Sequence, residues 1–394
     1  MSVSKRKVIN FILYVFLLIP FFKIAYISVS IPYADSIYKI MQLFSIFIIF
    51  MIIIKYGKFS KFIFSFAIYF IILNISTILN KADISGGIFL TIRTMAICML
   101  IDYGLKIDTK TFLDSFEFLL STLVYMNLIS ILIFKDGMYV NTSVGYTENW
   151  LLGYRNLHIL YILPAILVSF LNSYYTKGKL CNRNYILLVL SLLSIVLVKS
   201  STSLVGITVL IVFLVLNKIL KNEKIFNIKN YFLVYIVSFF SIVIFRIQNL
   251  FKFIIVGILD RDLTFTGRTY IWDYVIEFIK QKPIIGYGIE ESNVRLNKTT
   301  FMVSTHAHDQ ILEIIYKSGI VGIIVYAYIL IKSVYEVYKY RKTKVSQFIS
   351  IIIFAYLFMM LTEYFSLDLT MFLFVFCLDI KYLIKESGEN ESIN

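Results

Sequence analysis

The segment STHAHDQILEIIYKSGIVGIIVYAYIL, residues 304–330, places two histidines directly before a long apolar run. The run that begins near Ile311 can cross a bilayer as a helix, because about 17–25 predominantly apolar residues span the hydrocarbon core. His306 and His308 are two of only three histidines in the chain. The segment therefore predicts a titratable group at the mouth of a membrane-spanning helix.

Similar apolar runs recur along the whole chain of 394 residues. Hydrophobic residues make up 59% of the sequence and charged residues only 16%, and the mean hydropathy is +0.82. A water-soluble protein of this size has too little interior to bury so much apolar surface. The composition predicts an all-α polytopic membrane protein, with residues 1–394 forming one membrane domain. We expect about twelve spans, centred near residues 20, 46, 69, 94, 123, 164, 192, 211, 239, 321, 355 and 375.

The net charge of +14 does not by itself indicate a nucleic-acid partner. Cytoplasmic loops of membrane proteins are enriched in lysine and arginine, and segments such as 5–7, 55–61 and 339–344 carry clusters of them. Their alternation with short loops almost free of positive charge predicts that both termini are cytoplasmic, although the long outer loop 248–309 holds seven Lys and Arg residues. Two longer segments, 135–155 and 248–309, then lie on the outer side, where long ordered loops often carry function.

The longer of these outer segments contains TGRTYIWDYVIEFIKQKPIIGYGI. The spacing predicts a short amphipathic helix over residues 269–282, with one apolar face formed by Ile271, Trp272, Val275, Ile276 and Ile279. Pro283 should end this helix, and Gly286 and Gly288 should make the following turn flexible. Such a helix either lies flat at the membrane surface or closes the top of the helix bundle.

Several positive charges oppose the general bias, because they fall in or beside the outer parts of predicted spans. A charge in the hydrocarbon costs roughly 2.5–3.5 kcal/mol on insertion scales, so we expect these side chains to find partners or a cavity. Lys23 and Lys39 can reach the surface with their long side chains. The others predict an outward-facing cationic cavity whose ligand is an anion, and the planar fork of arginine suits a diphosphate. They are Arg93, Arg155, Lys199, Arg246 and Lys317.

The paired histidines have two interpretations. Residues two apart on a helix point to nearly opposite sides, so His306 and His308 cannot share a metal ion unless the backbone there is extended. Because the sequence shows no third ligand nearby, we expect no metal site and no cofactor. His308 should begin the helix and face the cations as a general base, while His306 points elsewhere. In the alternative interpretation both are interfacial residues without a chemical role.

Two segments resemble the signature of the O-antigen polymerase and O-antigen ligase superfamily. The first is GRTYIWDYVIEFIKQKPIIGYGI and the second is HAHDQILEIIYKSGIVG, together covering residues 267–322. Asp309 stands where the family usually has asparagine. The matching residues are Arg268, Trp272, Pro283, Gly286, Gly288, His308, Leu312 and Gly319.

The resemblance implies a glycosyltransferase of the bacterial cytoplasmic membrane that uses a glycan on undecaprenyl diphosphate as donor and needs no metal. It implies that residues 248–309 form the catalytic loop, that His308 is the base for the acceptor hydroxyl, and that Arg268 contacts the diphosphate. Many ligases carry an arginine near spans 7 and 8, where this chain has VKSSTSLVG. Lys199 or Arg155 would then supply the second phosphate contact, with Arg93 as a further candidate. His306 and Lys317 are expected to be secondary site residues.

Three functions are compatible with this reading. The first is a polymerase for capsule, exopolysaccharide or O-antigen, the second is a ligase that moves finished glycan to another acceptor, and the third is a flippase or other transporter. The gathering of unusual residues at one face favours chemistry over transport. Expected partners are lipid-linked oligosaccharides, the bilayer, a flippase and chain-length regulator proteins, but no nucleic acid. The Asp260-Arg261-Asp262 match to a D-x-D motif is left without a role.

Overall fold

The computed structural model describes residues 3–56, 60–141, 146–252, 262–290 and 306–384, and these are mostly helical. In that part of the chain six helices are long and apolar enough to cross a membrane, namely Ala34–Tyr56, Ile84–Ile107, Thr109–Ile133, Arg155–Lys177, Ser201–Leu220 and Gln310–Lys339. Shorter apolar helices occupy other predicted spans, namely Ile63–Leu79, Asn182–Leu197, Ile228–Ile244, Lys344–Met360 and Leu367–Leu378. The helical membrane architecture is confirmed, and the twelve-span arrangement stays a prediction.

The helices are labelled in chain order. They are α1 (Val3–Leu18), α2 (Ala25–Ser30), α3 (Ala34–Tyr56), α4 (Ile63–Leu79), α5 (Ile84–Ile107), α6 (Thr109–Ile133), α7 (Ile159–Lys177), α8 (Asn182–Leu197), α9 (Ser201–Leu220), α10 (Ile228–Ser238), α11 (Arg268–Gln281), α12 (Gln310–Lys339), α13 (Lys344–Met360) and α14 (Leu367–Leu378). A π-helical turn, Phe239–Ile244, continues α10. The central helix is α7, which is buried along most of its length, including Pro164.

The span expected around residue 20 is interrupted at that point. Helix α1 ends at Leu18, a 3-10 turn follows over Ile19–Phe21, and α2 begins only at Ala25. Pro20 lies within the turn and has no backbone N–H to continue the helical ladder. Its carbonyl oxygen instead accepts a hydrogen bond of 2.7 Å from Gln42 Nε2.

Residues 135–155, which the charge pattern predicts to lie outside, contain a small antiparallel sheet that the all-α prediction did not include. Its strands are β1 (Tyr139–Asn141), β2 (Tyr146–Trp150) and β3 (Gly153–Tyr154), paired in sequence order. Buried Trp150 anchors the sheet, because its Nε1 donates a hydrogen bond of 2.7 Å to the carbonyl oxygen of Phe134. Strands of two to five residues are too short for alternation of apolar and polar residues to reveal them.

Helix α12 contains a break at Gly319, where φ is 62° and ψ is −165°. The segment that follows α11 repairs the lost helical hydrogen bonds. Tyr287 N donates to Tyr316 O, Gly288 N donates to Lys317 O, and Ile320 N donates to Pro283 O, each at 2.8 Å. Irregular backbone at membrane depth is tolerated when protein satisfies its polar groups. These hydrogen bonds therefore connect the segment after α11 to the part of α12 around Gly319.

Gly286 and Gly288 adopt a conformation and a close packing that only glycine permits, and their predicted flexibility stays a prediction. Their φ values are +69° and +77°, a region that side chains rarely adopt. A Cβ on Gly286 would lie 2.5 Å from the carbonyl oxygen of Tyr316, and one on Gly288 would overlap the backbone of Thr77. Both glycines are needed because two backbone segments approach closely here.

Gly288→Ala should lower the stability of the purified protein more than Gly178→Ala does. Both residues have positive φ, so both substitutions place a side chain in the left-handed region, which costs about 1–2 kcal/mol. Gly178 is a matched control because its Cβ would meet nothing within 4 Å. Thermal unfolding in detergent compares the two variants, and equal losses would show that the close approach to Thr77 contributes nothing.

Cysteines introduced on opposite sides of the membrane should differ in their reactivity toward an impermeant maleimide. In a chain without its native cysteines, Asp262→Cys should react with an impermeant maleimide on intact cells, whereas Lys342→Cys should react only after lysis. Both native side chains are exposed in the structure, so membrane sidedness rather than burial decides access. The reverse pattern would contradict the orientation derived from charge.

Candidate active site

One carboxylate joins the two residues that the sequence singles out. Glu363 lies in the turn between α13 and α14, and its side chain is 9% exposed. Its Oε2 accepts a hydrogen bond of 2.8 Å from Arg268 Nη2, and its Oε1 lies 3.1 Å from His308 Nδ1. The structure thus brings Arg268 and His308 together across Glu363. Sequence reasoning missed Glu363, and the signal that could have found it is a lone carboxylate at the end of an apolar helix.

Arg268 is positioned by α11, which begins at Arg268 after Gly267 and ends at Gln281, close to the predicted 269–282. The predicted apolar face is confirmed at its centre, since Trp272 and Val275 are buried while Asp273 is exposed. The helix packs against α12. Trp272 Nε1 donates a hydrogen bond of 3.3 Å to the carbonyl oxygen of His308, which ties the two parts of the site together.

His308 has an unusual backbone conformation, with φ at +50°. For a residue other than glycine such a conformation costs about 1–3 kcal/mol and persists only where its surroundings determine it. The hydrogen bond from Trp272 fixes the His308 carbonyl. On either side, Ala307 N donates to Glu313 Oε2 at 2.7 Å, and Asp309 Oδ1 caps α12 by accepting from Leu312 N at 2.8 Å.

His306 does not point elsewhere, so that prediction is wrong. The ring centroids of His306 and His308 are 4.0 Å apart, and His306 Nε2 lies 3.8 Å from Glu363 Oε1. The physical reason is that α12 begins only at Gln310. Both histidines precede the helix, and the left-handed conformation at His308 returns the two side chains to the same side.

The electrostatics of the site favour an ionised Glu363. Burial alone raises the pKa of this carboxyl, but the hydrogen bond from His308 and the positive charge nearby, which Arg268 carries permanently, lower it below its ordinary value overall. A carboxylate can only accept hydrogen bonds, so His308 Nδ1 carries the proton of this pair. In the neutral ring of His308 the lone pair is then on Nε2, the atom that can take a proton from a substrate.

His306 is held in its neutral form. Burial and the neighbouring His308 lower the pKa of His306 to about 4, although Glu313 and Glu363 act in the opposite direction. At neutral pH the His306 ring therefore carries no charge.

Two further cations lie beside this cluster. Lys317 Nζ is 3.0 Å from Glu313 Oε1 and 3.2 Å from the hydroxyl of Tyr364, whose ring also contacts His306. The guanidinium carbon of Arg246 lies 4.9 Å from the centroid of the Trp272 ring. Its Nη2 donates hydrogen bonds to Thr269 O and Asp273 Oδ1, at 3.2 and 2.6 Å. Arg268, Lys317 and Arg246 thus lie near one another, and each is paired with a carboxylate. The outward-facing cationic cavity stays a prediction.

The other predicted phosphate contacts have different neighbours in the described part of the chain. Arg93 forms an ion pair of 2.8 Å with Asp368. Arg155 contacts the side chain of Tyr154. The hydrogen bond from Ser200 Oγ to Asn156 Oδ1 joins the segments that carry Lys199 and Arg155. Lys23 and Lys39 both pair with Asp35. None of these described contacts includes Glu363.

A metal ligand set exists, although the sequence analysis found no third ligand. One atom each from His306, His308 and Glu363 lies within 4.8 Å of the others. However, His306 Nδ1 accepts a hydrogen bond of 3.2 Å from His308 N, so the proton of the neutral ring is on Nε2. In the structure, Arg268 contacts Glu363 Oε2 and His308 faces Glu363 Oε1. The three residues therefore form a hydrogen-bond network, and the expectation that no metal binds stays a prediction.

Asp260 and Arg261 lie outside the described residues. Asp262 is exposed and accepts hydrogen bonds from Thr264. His158 is buried, and its Nε2 lies 3.0 Å from the carbonyl oxygen of Gly153, in agreement with a structural role.

Comparison with known proteins gives evidence on the family resemblance that is independent of the structure. Residues 186–327 match the family model described as O-Antigen ligase. This region includes Arg268, His308 and Lys317 but not Glu363. The "Exopolysaccharide production protein ExoQ" of Rhizobium meliloti (strain 1021) is 31% identical over 88 residues, which are 20% of this chain and 20% of that protein. No solved structure matches the chain.

The Arg268–Glu363–His308 cluster is thus a polar site in a mainly helical protein whose longest apolar helices can cross a membrane. Both sequence matches agree with the resemblance of residues 267–322 to the O-antigen polymerase and ligase superfamily. The aligned region spans a fifth of the length of the curated relative.

Proposed function

We propose that this protein is a bacterial polysaccharide polymerase that joins oligosaccharide repeat units carried on undecaprenyl diphosphate. The observation that carries the proposal is that Glu363 holds Arg268 and His308 in one site, with 2.8 and 3.1 Å contacts. Glycosyl transfer from a lipid diphosphate needs a base for the acceptor hydroxyl and a cation for the departing diphosphate. These two residues supply both groups on one rigid frame.

The proposed reaction is a displacement at the anomeric carbon of the donor glycan. The acceptor hydroxyl oxygen bonds to that carbon, the bond between the carbon and the diphosphate oxygen breaks, and the hydroxyl proton moves to His308 Nε2. Undecaprenyl diphosphate leaves with the electron pair of the broken bond. Arg268 stabilises the negative charge that develops on it, and base assistance of this kind typically contributes about 10²–10⁴-fold.

Glu363 has two tasks in this mechanism. Its Oε1 fixes the tautomer of His308 and stabilises the imidazolium that forms when Nε2 takes the proton, as the carboxylate does in hydrolase triads. Its Oε2 orients the Arg268 guanidinium through Nη2. A guanidinium has five N–H donors in a planar fork, so one edge can hold Glu363 while another binds phosphate oxygens.

The second phosphate contact is assigned differently from the sequence-based expectation. Lys317 and Arg246 lie beside the cluster. Among the described residues, Arg93 pairs with Asp368, Arg155 contacts Tyr154, and no contact links Lys199 to the cluster. We therefore propose Lys317 and Arg246 as the cations that assist Arg268. This places the diphosphate between α11 and the first turns of α12.

The proposed setting is the bacterial cytoplasmic membrane, with about twelve spans, both termini in the cytoplasm and the site facing outward. Residues 248–309 would form the catalytic loop within a single membrane domain. A flippase would deliver the lipid-linked units, and a chain-length regulator would limit the polymer.

The second candidate is a ligase, because the matching family model is described as O-Antigen ligase. Analysis of surface glycan in a strain that lacks this protein separates the candidates. A polymerase predicts that single repeat units accumulate on lipid. Polymer that stays on lipid would instead indicate a ligase, and loss of external lipid-linked sugar would indicate a flippase.

Arg268→Ala should reduce polymerisation by about 10²–10³-fold, as expected for loss of a donor that stabilises transition-state charge. Arg268→Lys should recover only part of this loss, because a point charge cannot replace a two-pronged contact. Arg183→Lys is the matched control, since Arg183 also pairs with a glutamate, Glu117 at 3.1 Å, away from the site. Polymer yield per molecule of membrane-inserted protein measures the effect, and normal yield from Arg268→Ala would exclude an essential phosphate contact.

A further inference from the structure

The backbone N–H of His308 has a side-chain partner in His306. His308 N donates a hydrogen bond of 3.2 Å to His306 Nδ1. This N–H lies before the first residue of α12, so the helix does not satisfy it. The two rings are also in contact, with centroids 4.0 Å apart.

This hydrogen bond completes a set that fixes the HAHD segment residue by residue. Glu313 holds the N–H of Ala307, Trp272 holds the carbonyl of His308, and the Asp309 side chain caps α12. The His306 contact restrains the N–H of His308 itself, the residue with φ at +50°. A left-handed residue needs such restraint, because the more favourable conformations would turn its side chain away.

We propose that His306 is a positioning residue, which holds the His308 backbone in the conformation that directs the His308 imidazole onto Glu363. This inference rests on the proposed role of His308 as the base. His306 itself takes no proton from the substrate. Its Nδ1 must stay unprotonated to accept the hydrogen bond, which requires the neutral ring.

The surrounding charges agree with this assignment. His306 faces His308, Glu363, Glu313 and Lys317, and the net result of burial and these neighbours is a neutral ring at physiological pH. A neutral His306 does not compete with Arg268 and His308 for the Glu363 carboxylate. His306 Nε2 is 3.8 Å from Glu363 Oε1, beyond hydrogen-bond distance, whereas His306 Nδ1 lies within hydrogen-bond distance of His308 N.

The test compares His306→Asn with His306→Leu in the purified, full-length protein. Asn and Leu have nearly the same shape, but the Asn Oδ1 can accept from His308 N in place of Nδ1, whereas a Leu methyl group cannot. We expect His306→Leu to lower kcat by about 10²-fold, the typical loss from a displacement of about 1 Å. His306→Asn should lie much closer to the native protein. The KM for the lipid-linked donor should change little in both, because donor binding rests on the cations.

His308→Ala serves as the reference for the proposed function. If His308→Ala retains its activity, the assignment of the base fails, whatever His306 does. If His308→Ala is inactive while His306→Leu turns over normally, the base assignment stands and the positioning role is overturned. Equal losses in kcat for His306→Asn and His306→Leu would also overturn it, since the acceptor atom would then not matter. Thermal unfolding of each variant in detergent is measured alongside, and a kcat loss in His306→Leu without a lower unfolding temperature supports the proposal.

Discussion

The hydrogen bonds of the Glu363 carboxylate organise the site. One oxygen faces His308 Nδ1 and the other accepts from Arg268 Nη2, so a single side chain sets the distance between base and cation. The half-buried surroundings make these charged contacts stronger than they would be in water. A buried carboxylate without partners is costly, and the same contacts that orient His308 and Arg268 keep Glu363 ionised. Removal of any one of the three therefore affects the other two.

The frame that carries these three residues depends on the broken helix α12. At Gly319 the regular helical hydrogen bonds are interrupted. Backbone groups of the segment after α11 form hydrogen bonds with the backbone groups of α12 around this break. These hydrogen bonds join the helix that begins with Arg268 to the helix that begins after His308. Gly286 and Gly288 permit the close approach, because any side chain at these positions would meet neighbouring atoms. Backbone hydrogen bonds thus join the described segments that carry the site.

Much of this could be predicted from the sequence, where the signal is local. Trp272 and Val275 are spaced as one face of a helix, and Pro283 marks its end, so α11 was found within one residue of its bounds. Glu363 was not found, because it is 55 residues from His308 and its role follows from tertiary packing. His306 was misplaced because the helical spacing rule was applied to residues that precede the helix. The left-handed backbone of His308 results from contacts with Trp272 and His306, which no local pattern shows.

The most direct test of the central claim is glycosyl transfer by the purified protein with a lipid-diphosphate-linked oligosaccharide as the substrate. Glu363→Gln keeps the shape of the side chain but removes the charge that stabilises the protonated His308. We predict that Glu363→Gln and His308→Ala both lose about 10²-fold or more of the transfer rate, at normal levels of folded protein, while a metal chelator leaves the native rate unchanged. A native rate in Glu363→Gln, or a rate that chelation abolishes and zinc restores, would contradict the account.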